Sequence, residues 1–197
     1  MSIRSFKTSS IRTGEKRSKF WDQSAVIVNG AFVPIASVTL GSVASSITLS
    51  SIPTTYQHLQ FRFRIRNTGG GACDLNLRAN GATGSVYSYH YLNGTGAAVS
   101  ADGGATQDRI YNDGGSISGA TGIWSVGVLD LHDYASTSKN KTFRMFFGYD
   151  ANGFGRTTLS SGLYQATTAV TSVEFFNNAG YNWDAGSTVA LYGIKGA

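Results

Sequence analysis

The chain has 197 residues, a formal net charge of +5, 41% hydrophobic and 12% aromatic residues, and only 14% charged residues. This excludes a disordered polymer and leaves one β domain with an appendage, or at most two small domains. No apolar run approaches the roughly 18 residues of a membrane-spanning helix, and no apolar run of secretory-leader length follows the basic start, so neither is expected.

The first element in chain order is an arm, residues 1–22. Arg4, Lys7, Arg12, Lys16, Arg17 and Lys19 stand against one acid, Glu15, so the whole +5 lies in the first twenty residues and the rest is balanced. The arm has no sustained apolar period of 2 or 3.6 and cannot bury a face of its own. Fully extended, twenty of its residues would reach about 66 Å. Such a cationic segment reads as an attachment device, with Phe6, Ile11, Phe20 and Trp21 as apolar anchors between the cations.

Residues 23–197 read as one β domain. Strands are expected at 35–40, 46–50, 58–66, 73–79, 86–92, 107–111, 122–131, 142–149, 157–164, 170–176 and 187–194. Asn-Gly or Asp-Gly pairs at 29, 80, 93, 102, 113 and 152 supply hairpin-turn chemistry. The two prolines, Pro34 and Pro53, lie near strand boundaries, where a missing N–H costs least. With no helical crossover, this spacing predicts an all-β fold: an antiparallel two-sheet sandwich, jelly-roll-like, with an extended N-terminal arm.

Within that frame, residues 59–66 alternate most clearly, placing Leu59, Phe61, Phe63 and Ile65 on a core face and Arg62, Arg64 and Arg66 on the other. The arginines are expected to be solvated or paired with neighbouring acids. The glycine-rich stretch 94–121 reads as a long exposed excursion around one short strand. Cys73 is the single cysteine, which rules out an intramolecular disulfide.

Catalytic and cofactor motifs are absent. There is no Gly-x-Ser-x-Gly, no phosphate-cradling Gly-x-x-x-x-Gly-Lys and no His-Glu-x-x-His, so no catalytic residue, cofactor or metal is expected. Asp130, His132 and Asp133, with His58 or His90 in reserve, raise the question of a metal, but a strand ending Leu-His-Asp-Tyr is expected to be a capped turn. Tyr87, Tyr89 and Tyr91 alternate along one face. They read as core or interface rings or, together with Trp124, as an exposed platform for sugars.

Five segments resemble a family of small structural proteins of tailed bacteriophages, of the type found in phages of cyanobacteria. They are residues 10–22 (SIRTGEKRSKFWD), 50–62 (SSIPTTYQHLQFR), 132–144 (HDYASTSKNKTFR), 161–176 (SGLYQATTAVTSVEFF) and 185–197 (AGSTVALYGIKGA). None of the five is a catalytic motif. The resemblance implies a virion component made in the host cytoplasm, either a capsid-decorating or a tail-associated fibre protein. It would be non-enzymatic, anchored by its N-terminus on other phage structural proteins, and homo-oligomeric, with a trimer in view.

Two other functions compete with this one. A jelly-roll coat protein would use the basic arm on packaged nucleic acid, and a receptor module would bind carbohydrate. The arm's cations are spread among Ser, Thr and apolar residues rather than blocked together, which favours a protein groove over nucleic acid. No membrane partner is expected.

Overall fold

A computed structural model of the chain describes residues 31–196. The arm and its candidate docking residues, Arg4, Phe6, Lys7, Ile11, Arg12, Lys16, Arg17, Lys19, Phe20 and Trp21, lie outside the described residues.

The described residues form strands and turns. In chain order the strands are β1 (Phe32–Thr39), β2 (Ser46–Leu49), β3 (His58–Ile65), β4 (Cys73–Ala79), β5 (Tyr87–Gly94) and β6 (Val99–Gln107). They continue with β7 (Ile110–Ile117), β8 (Ser125–His132), β9 (Lys141–Asp150), β10 (Gly155–Tyr164), β11 (Val173–Phe176) and β12 (Thr188–Ile194). An eight-stranded sheet runs β1-β12-β3-β8-β9-β10-β5-β6, and a four-stranded sheet runs β2-β11-β4-β7. All pairings are antiparallel.

Setting aside the hairpins β5–β6 and β9–β10 leaves eight strands in the orders 1-8-3-6 and 2-7-4-5. That is the double Greek key of a jelly roll. Both extra hairpins join the β8 edge of the same sheet, which doubles that sheet's width and leaves its partner at four strands.

The core follows the alternation. Leu59, Phe61, Phe63 and Ile65 are buried as expected, with Phe61 and Phe63 within 5.7 and 5.8 Å of the Phe175 ring across the sheets. Each such side chain contributes about 1.5–3 kcal/mol by leaving water. Gly127 faces both Phe63 and Phe147, whose rings lie 6.1 Å apart; a Cβ there would sit 2.4 Å from each residue. Trp183 is fully buried, donates its indole N–H to the Phe175 carbonyl at 2.9 Å, and makes backbone bridges to Ala44 and Asn67.

Where β7 overlies the added hairpins, the filling between the sheets turns polar. Asn112 donates to the Leu75 carbonyl at 3.0 Å and accepts from Ser160, while Ser116 bonds Thr158, which donates to Asn93 at 3.3 Å. All five of these side chains are buried, and mutual bonding removes the penalty of hiding them.

Two expectations are corrected. The stretch 94–121 is not an excursion around one short strand, because it contains all of β6 and all of β7. Gly103 and Gly104 are there for close approach: a Cβ on Gly103 would lie 2.3 Å from the His90 ring, and one on Gly104 would lie 2.9 Å from Tyr89. Cross-strand pairing with β5 overrides the low intrinsic strand preference of Gly.

Among the described residues the Asn-Gly and Asp-Gly pairs divide in two, and the pair at 29 lies outside them. Asn80-Gly81 (φ 52° and 63°) and Asn152-Gly153 (φ 53° and 121°) make turns, and the second closes the β9–β10 hairpin between Ala151 and Phe154. By contrast, Asn93-Gly94, Asp102-Gly103 and Asp113-Gly114 lie inside strands.

Candidate functional site

The inner face of the wide sheet is occupied by core, so its outer face is the surface available for contact. Alternation and register determine what it displays. Leu92, Leu159, Phe146, Val128 and Arg62 are directly opposed across β5, β10, β9, β8 and β3. The next row holds Val99, Gly94, Thr157, Gly148, Val126 and Arg64.

The result is an exposed apolar band. Phe146 is 54% exposed, Val126 56% and Val99 74%, with Leu92 and Leu159 about half exposed. Phe154, 62% exposed, stands beside the band at the tip of the β9–β10 hairpin, its ring edge-on to Tyr149 at 6.1 Å. The tip, the glycine-rich end of the β5–β6 hairpin and the sheet floor enclose an open groove of about 1070 Å³. Gln60, Arg62, Val126, Phe146, Asp150 and Phe154 are among its lining residues.

Charge without an ion-pair partner borders the band on two sides, and on a third side the Asp130–Arg144 pair of β8 and β9 neutralises itself. On β3, Arg62 donates to Gln60 at 3.0 Å with its guanidinium 5.5 Å from the Tyr192 ring, and Arg64 donates to the Gly186 carbonyl at 3.2 Å. At the hairpin tip, Asp150 accepts the Asn152 backbone N–H at 2.8 Å. None of these three groups has an ion-pair partner among the described residues. Arg66, the third arginine of the stripe, is bound by Asp184.

The tyrosine platform is corrected. Tyr87 and Tyr89 are buried rather than exposed. The Tyr87 ring stacks on Tyr164 at 5.0 Å; its hydroxyl donates to the Ala79 carbonyl and accepts the Ala79 N–H, and burial pushes its pKa up to about 12. Tyr89 meets Tyr91 at 6.2 Å and Tyr111 at 5.6 Å. Tyr91 and Trp124 are half-buried, and the Trp124 ring is covered by Arg64 and Arg66 at 4.6 and 5.1 Å. The stripe faces inward because the extra hairpins place β5 beneath β7.

The Asp130 cluster forms a bonded strand end. Asp130 accepts from Gln60 and Arg144 at 2.9 Å each. Asp133 takes a left-handed turn conformation, its N–H donates to His58 Nδ1 at 3.0 Å, and its carboxylate accepts from Lys139 at 2.9 Å. The His58 and His132 rings lie 4.8 Å apart, whereas His90 sits on β5, well across the sheet. Among the described residues, no group of three or more His, Cys, Asp or Glu is placed to hold a metal. The Cys73 thiol is buried, and burial with the nearby Asp74 charge pushes its pKa up to about 12, Asn67 opposing.

Two features had little signal in the sequence. The outer apolar band is spread over β5, β6, β8, β9 and β10, and it becomes continuous only because β10 pairs with β5, far from it in the chain. Lys141 is fully buried, its ammonium surrounded by the carbonyls of Ser136, Lys139, Ala166 and Thr167 at 2.6–3.3 Å. Comparison of the chain with family models, with curated proteins and with solved structures finds no match in any of the three.

Proposed function

We propose that the chain is a non-enzymatic virion structural protein of a tailed bacteriophage, a capsid-decorating or tail-associated fibre protein that works by packing against other proteins. The observation that carries this reading is the apolar band across the widened sheet, on a body with unusually few charges. Isolated apolar side chains are normal on a surface, but a contiguous row marks a face that another protein covers. The added hairpins supply Leu92, Leu159, Phe146 and Phe154, so the widening of the jelly roll is also what builds the band.

In this reading the basic arm anchors the particle-bound copy. Its six cations meet acidic surface, while Phe6, Ile11, Phe20 and Trp21 fill apolar pockets. Ordering the arm on binding offsets part of that energy. Its partners are other capsid or tail proteins and further copies of itself, and its location is the virion.

Deleting residues 1–22 tests the anchor. The truncated chain is expected to keep its folded β signature by circular dichroism and to be missing from purified particles. Incorporation at normal occupancy overturns the anchor. Binding of the intact chain to DNA that falls steeply with salt would assign the arm to nucleic acid instead.

A further inference from the structure

The outer face of the wide sheet combines an apolar centre with opposite charges on two borders. Phe146 and Leu159 lie in the middle, Arg62 and Arg64 border one side on β3, and Asp150 stands at the hairpin tip beyond the groove. All three charges are exposed, and none has an ion-pair partner among the described residues. A surface that carries its own complement is suited to contact with itself.

We propose that this face is a contact between two copies of the chain, with Phe146 and Leu159 at its centre and Arg62 of each copy opposite Asp150 of the other.

The dimensions agree. From the arginine border on β3 to the edge strand β6 the sheet spans five strand spacings, about 24 Å, by roughly eight residues, about 26 Å, giving on the order of 600 Å² per copy, the lower end of the standard specific interface. The alternative occupant within the chain is its own N-terminal segment. Its +5 would be drawn to the single carboxylate at the tip and repelled by the arginine border, so charge favours a second copy. Like-charged borders would prevent the same face from meeting itself; here a rotated copy brings unlike charges together.

This inference rests on reading the chain as an assembly protein, and the two can fail separately. Sedimentation equilibrium and light scattering on the full chain provide the test. The parent is expected to self-associate. Phe146→Ser with Leu159→Ser weakens the association roughly 30-fold or more. Arg62→Asp alone and Asp150→Arg alone each dissociate the pair, and the double swap restores it, since each copy again presents one charge of each sign. All four side chains are exposed, so each variant is expected to keep the parent's β signature by circular dichroism and a cooperative unfolding transition.

The proposal is overturned by a monomeric parent, by an oligomer indifferent to the Phe146 and Leu159 changes, or by a double swap that fails to restore association. An oligomer lost on deleting residues 1–30 but insensitive to the face variants shows that the N-terminal segment joins the copies, and it overturns the face. Particle incorporation by a face variant that no longer self-associates leaves the proposed function standing while locating self-contact as dispensable to it.

Discussion

Lys141 was the side chain least legible in the sequence, where it looks like any surface lysine after Asn140. The fold places its ammonium among four carbonyls with no carboxylate in hydrogen-bonding range, and burial lowers its pKa. Removing it orphans the carbonyls of two loops at once. Lys141→Ala is expected to cost about 2–4 kcal/mol, read from urea denaturation midpoints. Cys73 gives the opposite kind of test. With its thiol buried and its pKa near 12, it should resist alkylation at neutral pH and react fully once the chain is unfolded, as a thiol-specific colour reagent would report.

Asp130 links a single side chain to acid stability. Burial disfavours its ionised form, but the hydrogen bonds from Gln60 and Arg144 and the Arg144 charge outweigh burial and hold its pKa below the ordinary 3.8. A pKa depressed in the folded state gives stability that is complete above the unfolded value and lost as pH falls through the folded one. The acid limb from this residue therefore lies below about 3.8. Asp130→Asn should lower stability at neutral pH and flatten that limb in denaturation measured against pH.

At the scale of elements, alternation and turn chemistry carried most of the information. Residues 59–65 placed their apolar set inward, and Asn152-Gly153 closed the hairpin, because both effects are local. β6 escaped because a Gly-rich strand shows no alternation. Its pairing depends on room beside Tyr89 and His90, which only the partner strand reveals. The same logic gives Gly127 a definite role. Gly127→Ala forces Phe63 and Phe147 apart and should cost about 1–3 kcal/mol or more, seen as a lowered thermal midpoint.

At the scale of the molecule, the first and last described strands are neighbours, and β12 sits between β1 and β3. Each side of β12 carries a full ladder, so the sheet cannot close without the final residues of the chain. Truncation before Thr188 should abolish the cooperative unfolding transition in calorimetry, because β1 then has nothing to pair with and the core over Phe61 and Leu191 opens. Pairings of this sequence separation also predict slow folding, in milliseconds to seconds.

The all-β class, the positions of most strands, the inward direction of Leu59, Phe61, Phe63 and Ile65 and the concentration of charge in the first twenty residues were legible in the sequence. These depend on neighbours two residues apart or on plain composition. It took the folded sheets to show that two hairpins widen one sheet, that Tyr87 and Tyr89 lie inside, and that Leu92, Leu159, Phe146 and Val126 form one band bordered by Arg62 and Asp150. The physical reason is register across distant strands: alternation tells which side of its own sheet a residue takes, but not which strands lie beside it or what covers that side.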